Sequence, residues 1–389
     1  MNSSRYRHLG TRLPVGILSL LLITITGVPQ GSPSVQTVIR VPQDYPTIQA
    51  AVDAAPEGAT ILISPDQYEE NIVINKSVTL QGALYTAFIR GPEALGPVIR
   101  IANDVPIQVT LENLDLSQGE SSNVVQIAGQ AHVNFNRVYV AYYYGYSGIV
   151  VEGLAHLTLR DSIISGFSGE GLTVYHNATV ELINSQISGT HNDGIGLFTG
   201  GPVRVSLQHS TISGHSSGIV VNYPALVILR DSVVVGNKVG IEVYNDFIIP
   251  DHPMVILENV QVASNWKAGL YIKNGTAEFR ESLVVGNGID PKCQELPLRE
   301  TCSGSGIILT DKGAKIKFFS TEIRNNAMWG VTAYLPQCGS SERYPFSGEV
   351  VFEGNNIIEN NNKSGVLNGM GNPGNHPFKN LPDGQVCLP

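Results

Sequence analysis

Two sets of side chains in this 389-residue sequence could do chemistry: acids beside a histidine, and aromatics at a regular spacing. Asp246, Asp251 and His252 fall in one short stretch. Cleavage of a glycosidic bond uses two carboxyl groups roughly 5–10 Å apart, and proton abstraction uses a base such as His. These three are the candidate catalytic residues. The plainer reading, that each is a solvated turn residue bonding its own backbone, carries more weight. It also covers Asp193 and Asp311, which lie near the same loops.

The aromatics are Tyr175, Phe198, Tyr244 and Tyr334, each four residues after a recurring glycine, with Tyr223 one place further along. Aligned on stacked strands they would make an exterior stripe. Their rings offer apolar faces to the C–H groups of a sugar, with hydroxyls at the rim. They are the candidate carbohydrate-binding residues; a purely stabilising ladder is the competing reading. Tyr142, Tyr143, Tyr144 and Tyr146 lie near the same side. Six histidines (132, 156, 176, 191, 209 and 215) are spread through the central region. His176 and His191 could approach across neighbouring turns, but no acid or Cys joins them at ligand spacing, so no metal site is expected.

Such residues need a scaffold, and the sequence repeats. Leu111-Glu-Asn-Leu-Asp-Leu is echoed by lines beginning at Phe135, Leu159, Leu182, Leu207, Leu229, Leu257, Phe279, Phe318 and Phe352. A Gly followed by an aliphatic residue recurs in phase at 148, 171, 194, 218, 240, 269, 306, 330 and 365. Each line alternates apolar and polar residues with the period of a strand that buries one face. Runs this short bury nothing alone, whereas stacked coils about 4.8 Å apart share a continuous core. Asn113, Asp161, Asn184, Asp231 and Asn259 lie between runs and suit turns with left-handed backbone. The expected fold is all-β: a right-handed parallel β-helix of about ten coils of about 23 residues, with repeats over 109–367. A leucine-rich repeat would need a fixed Leu/Asn consensus that is missing.

The ends should differ from the middle. Pro46 to Gly58 reads as a short capping helix, with Thr47 as N-cap, Ile48, Ala51, Val52 and Ala55 on one face, and Gly58 as the stop. Strands at 60–64, 71–74 and 77–81 follow. Residues 368–389 lose the repeat and form an irregular C-terminal cap. Residues 1–34 read as a signal peptide and leader, with Arg5, Arg7 and Arg12 before an apolar stretch at 15–28, too short to span a bilayer. The remainder, 35–389, is expected to be one secreted or periplasmic domain, monomeric and without a membrane span.

All four cysteines (Cys293, Cys302, Cys338 and Cys387) lie in the last quarter. In an exported protein they read as two disulfides, with Cys293–Cys302 and Cys338–Cys387 favoured among the three pairings. A net charge of −9 with 24 Lys and Arg excludes a nucleic-acid partner, which needs clustered cations. A neutral or cationic partner is easier to accommodate than a polyanion, unless calcium or a local basic cluster bridges the charge.

Val41-Pro-Gln-Asp-Tyr-Pro-Thr-Ile-Gln-Ala-Ala-Val-Asp-Ala-Ala, Ile61-Leu-Ile-Ser-Pro-Asp-Gln-Tyr-Glu-Glu-Asn and Val78-Thr-Leu-Gln-Gly82 together resemble the N-terminal part of pectin-lyase-like β-helix proteins. That group includes pectin methylesterases and the NosD-type and CASH-domain proteins, and the later lines resemble the NosD-type repeat. The resemblance covers about residues 38–367 and implies a scaffold. It does not carry a catalytic set. The QD, DFIFG-like and LGRPW-like segments of the esterases are missing. Asn192-Asp193-Gly194 and Gly214-His215-Ser216 only partly echo the polygalacturonase motifs. Pro250-Asp251-His252-Pro253 has the residues of an alginate epimerase Asp-Pro-His segment in another order. No cofactor is expected, although calcium is compatible with the resemblance.

Three insertions interrupt the repeat, at 245–253, 288–305 and 336–349, and binding residues concentrate in such loops. The first and third follow the glycine-led strand and should project from one edge. Two functions are compatible with all this. One is an exported protein that binds, and in an enzymatic version modifies as a lyase, epimerase or hydrolase, an extracellular or cell-wall polysaccharide. The other is a non-catalytic structural or interaction β-helix of the cell envelope or surface.

Overall fold

The structure, a computed structural model, describes residues 37–388 except 84–86, 93–95, 118–121, 143–145, 167, 190–193, 246–251, 290–303, 311–312 and 334–345. The leader reading lies outside the described residues. No described helix is long and apolar enough to cross a membrane.

One coil shows how the sequence builds the fold. Glu170–Tyr175 forms a strand, His176 and Asn177 turn with φ of 53° and 66°, and Thr179–Ile183 forms the second strand. Asn184 turns again at φ 51°, and Gln186–Gly189 is the third, short strand. Every neighbouring coil repeats this and pairs in parallel, giving a glycine-led stack, a middle stack and a short stack. The glycine-led and middle stacks join into one 23-stranded sheet, because the long strands Ile99–Glu112 and Val125–Asn136 run through both; the short stack is a separate sheet of twelve strands. The ten lines recognised from residue 109 onward are preceded by coils built from the strands Ala59–Ile63, Gln67–Glu69, Ile72–Ile74 and Val78–Gly82.

Register holds like above like. Leu172, Leu197, Ile219, Ile241, Leu270, Ile307 and Val331 form one buried column. In the middle stack, Phe279 and Phe318 pack with ring centroids 5.5 Å apart and Phe352 stacks on Phe318 at 5.1 Å. Phe378, from the C-terminal segment, meets Phe352 edge-on at 5.1 Å and closes the column. That segment is therefore the apolar lid that a solenoid end requires.

Hydrogen-bonded ladders fix the two corners that flank the short stack. All five expected turn positions are left-handed, and so are Arg137, His209, Glu281 and Ser320 at equivalent places. Just inside that corner the backbone N–H groups of Val138, Ser162, Ser185 and Ser210 donate to the hydroxyl one coil on (Ser162, Ser185, Ser210 and Ser232), each at 3.1 Å. At the other corner Asn237, Asn265, Asn287, Asn326 and Asn361 turn inward. The N–H of each donates to the next side-chain oxygen, the last being Gln385 Oε1. His215 heads this column, donating its N–H to Asn237 Oδ1 at 3.0 Å. Its ring is buried with neither nitrogen hydrogen-bonded. Burial pushes its pKa down to about 4, the Ile187 carbonyl offsetting part of the effect.

Three expectations are corrected. The capping helix is Ile48–Ala54, three residues shorter than the glycine stop implies, because Pro56 forces Ala55 into extended backbone (ψ 134°). Thr47 is its N-cap as expected, accepting from the Ala50 N–H. The repeat glycine of the third coil is Gly196, since Leu172 pairs with Leu197. Both glycines are tightly packed, a Cβ at Gly194 meeting the Gly169 carbonyl oxygen and one at Gly196 the Gly218 carbonyl oxygen, so it is the strand register that picks out Gly196. Gly365 starts no strand. The last glycine-led strand is Val386–Cys387 from the tail, which pairs with Val331–Thr332.

Candidate functional site

The corners are filled by repeated side chains, whereas the exterior of the glycine-led stack changes from rung to rung. One row pointing away from the core reads Thr173, Phe198, Val220, Glu242, Tyr271 and Ile308, of which Thr173, Val220 and Ile308 are buried. The next reads Tyr175, Gly200, Asn222, Tyr244, Lys273 and Thr310. The proposed stripe is thus divided. Tyr175 and Tyr244 share a row three rungs apart, about 14 Å by strand spacing. Phe198 belongs to the neighbouring row because its coil is phased on Gly196. Tyr223 sits one residue beyond the strand, in the left-handed turn at φ 56°.

Tyr175 is where groups converge. Its ring lies against Gly200, where a Cβ would approach Cε1 to 2.6 Å. Phe198 packs edge-on to it at 5.9 Å, and His176 lies 5.8 Å away. Burial, then Glu170, Glu152 and Tyr223, raise the phenol above its ordinary pKa. The hydroxyl is therefore a neutral donor throughout the physiological range. Both acids are held: Ser147 Oγ donates to Glu170 Oε2 at 3.2 Å, and Gln126 Nε2 donates to Glu152 Oε1 at 2.9 Å. Further along, Ser217 Oγ donates to Glu242 Oε1 at 2.6 Å. The arrangement offers an aromatic edge, a phenolic donor and two oriented carboxylates on an outward face.

Sequence reasoning missed Glu152, Glu170 and Glu242. Their signal was a carboxylate inside otherwise apolar glycine-led strands, as in Gly-Ile-Glu242-Val. Of the other candidates, His252 is exposed just before the strand Met254–Glu258. Asp246, Asp251, Tyr334, Asp193, Asp311 and His191 lie outside the described residues, as does most of each insertion. His132 and His156 stack one rung apart at 5.8 Å, and His209 approaches Asp231 at 3.7 Å on the left-handed corner. No group of three or more His, Cys, Asp or Glu among the described residues is placed to hold a metal. Cys387 is buried in the last strand, beside Thr332. Cys293, Cys302 and Cys338 lie outside the described residues, and so do both expected pairings.

The profile of the right handed beta helix region matches residues 99–248. The chain is a right-handed parallel β-helix. Among solved structures, this β-helix is similar to a variant of the periplasmic alginate epimerase AlgG, at 10% identity and a TM-score of 0.53, over 82% of this chain and 84% of that one. It is also similar to the catalytic unit of a thermostable α-1,3-glucanase from Streptomyces thermodiastaticus, at 12% identity and a TM-score of 0.49, over 84% and 69% of the two chains. A third is the A-module of an Azotobacter vinelandii mannuronan C-5 epimerase, at 14% identity and a TM-score of 0.43, over 80% and 90%. At these identities the likeness is one of fold. No curated protein sequence matches the chain.

Proposed function

We propose that this β-helix binds a polysaccharide along the exterior of its glycine-led stack, centred on Tyr175, outside the cytoplasm. The observation that carries the reading is Phe198 packed edge-on against Tyr175, with the charges of Glu170 and Glu152 acting on its phenol, in rows that differ from rung to rung. Sugars are recognised in this way, by an aromatic ring beside a few fixed polar groups. Folds of this kind in polysaccharide-acting proteins, such as the alginate epimerase, support the same reading. The basic and apolar character of residues 5–28 supports export. Glu152, Glu170 and Glu242 on this face, with a net charge of −9, favour a neutral glycan over a polyuronate. Calcium is the ion that would reverse this preference by bridging acid to acid.

A catalytic version of the reading rests on Glu170 and Glu152, held by Ser147 and Gln126, since oriented carboxylates are what acid–base chemistry on a sugar requires. The test is a panel of neutral and anionic polysaccharides assayed for binding and for release of reducing or unsaturated ends, with and without calcium. Binding that Tyr175→Ala weakens at least about tenfold is expected, the value of one good contact. Product release abolished by Glu170→Gln would make the protein an enzyme. If no glycan binds in any condition, the structural or interaction reading replaces this one.

A further inference from the structure

A second surface, on the short stack, carries aromatic rings at a different spacing. Phe88 pairs in register with Asp115, Asp115 with Tyr139, and Tyr139 with Ile163, so the four side chains form one outward row on consecutive rungs. Phe88 is 52% exposed, Tyr139 37% and Ile163 40%, which places large apolar groups in solvent within these rungs, and Phe88 and Tyr139 are the aromatic members of a row whose later rungs carry Gln, Thr, Val, Leu, Glu and Ile. The parallel row beside them holds the exposed Arg90 next to Phe88 and then Ser117, Ala141 and Ser165, small side chains that leave a flat shelf beside Asp115, Tyr139 and Ile163. Asp115 is half-buried between the two aromatics, and desolvation raises its carboxyl above the usual range. Among the described residues no hydrogen bond reaches that carboxyl.

From this row we infer a second glycan platform, one that takes an extended, neutral β-1,4-linked chain lying parallel to the helix axis. Strand spacing sets the rungs about 4.8 Å apart, close to the length of one pyranose unit along such a chain. Phe88 and Tyr139 are two rungs apart and therefore meet alternate sugars, which in a β-1,4 chain present the same face. The intervening sugar lies over Asp115, whose carboxylate accepts from its hydroxyl pair. Hydroxyl donors suit a carboxylate that accepts from no described residue, and ring faces stack on C–H groups. A neutral chain is required because a uronate would set its own carboxylate against Asp115. The platform is on a different face from Tyr175 and stands whether or not that site binds sugar.

The test is titration of the full chain with cellohexaose and chitohexaose, read by calorimetry. At least one hexasaccharide should bind, and its disaccharide should bind at least about tenfold more weakly, because two units cannot reach both rings. Phe88→Ala and Tyr139→Ala should each cost about tenfold, while Phe88→Tyr and Tyr139→Phe retain binding and show that the fold is intact. Asp115→Asn should weaken binding. The proposal is overturned if neither hexasaccharide binds, or if binding survives loss of both rings. It also falls if sedimentation shows a dimer that Phe88→Ala dissociates, since the row would then be an interface between copies.

Discussion

The asparagine corner and the exterior of the glycine-led stack are built on the same rungs and obey opposite rules. At the corner, five successive coils place Asn at one position, and each side chain meets the same partners in the next coil. In the row of the glycine-led stack that points away from the core, the same coils place Glu242, Tyr271, Ile308 and Thr332, the last two of them buried. Repetition marks positions where every rung must satisfy the same backbone groups. Variation marks positions released from that duty. In a solenoid the non-repeating face is where recognition can accumulate, because a change there disturbs no ladder.

Substitutions can break this contrast, and the largest effect should fall at the corner. Asn265→Ala strands the Asn237 N–H, leaves the Asn237 side-chain amide only the Ile212 and Val235 carbonyls, and leaves Asn287 Oδ1 with fewer donors. A loss of about 2–3 kcal/mol is expected, seen as a lower denaturation midpoint, because unmatched buried polar groups carry their full desolvation cost. An unchanged midpoint would show that the ladder is decorative.

The second effect is a pH dependence at the head of the same ladder. His215 has a folded pKa of about 4 against an ordinary 6.5. The folded state therefore resists a proton that the unfolded chain accepts. Its contribution to stability is intact above pH 6.5 and is lost progressively as pH falls towards 4. Between pH 7.5 and 5 this amounts to about 2 kcal/mol. His215→Asn, which extends the ladder by one member, should flatten that part of the stability–pH profile measured by urea denaturation. An equally steep profile in the variant would assign the acid sensitivity to other groups.

The smallest effect on stability should come from the variable face. Tyr175→Ala should shift the melting free energy by about 1 kcal/mol or less, since its ring is only partly covered. Glycan affinity should still fall. A large loss of stability with intact affinity would invert the comparison and make the tyrosine part of the scaffold.

Much of the scaffold was legible because its physics is local and periodic. Alternation exposed the strands, and Asn113, Asp161 and Asn184 announced a left-handed turn by residue type alone. The asparagine ladder was not recognised, although Val-Gly-Asn237, Ala-Ser-Asn265 and Val-Gly-Asn287 recur. A polar residue after a turn reads as solvated, and only the stacked coils show that it points inward. The aromatic stripe failed for a related reason. Gly194-Ile195-Gly196-Leu197 offers two glycine–aliphatic pairs, and the choice between them depends on the register with the neighbouring strands. Glu152 and Glu170 were invisible as a pair because 18 residues separate them in sequence, and only the coil brings them to the same tyrosine.

The serine ladder has a consequence for the protein's history. Ser210 and Ser232 occupy equivalent places 22 residues apart and each meets its neighbour by the same bond. A deletion or duplication of one such unit would rejoin the ladder in register, with every column of the core intact. It would also move Tyr244 one whole rung relative to Tyr175. Distances along this molecule are thus counted rather than continuous, and the gap between two contact points can be inherited, gained or lost in single steps.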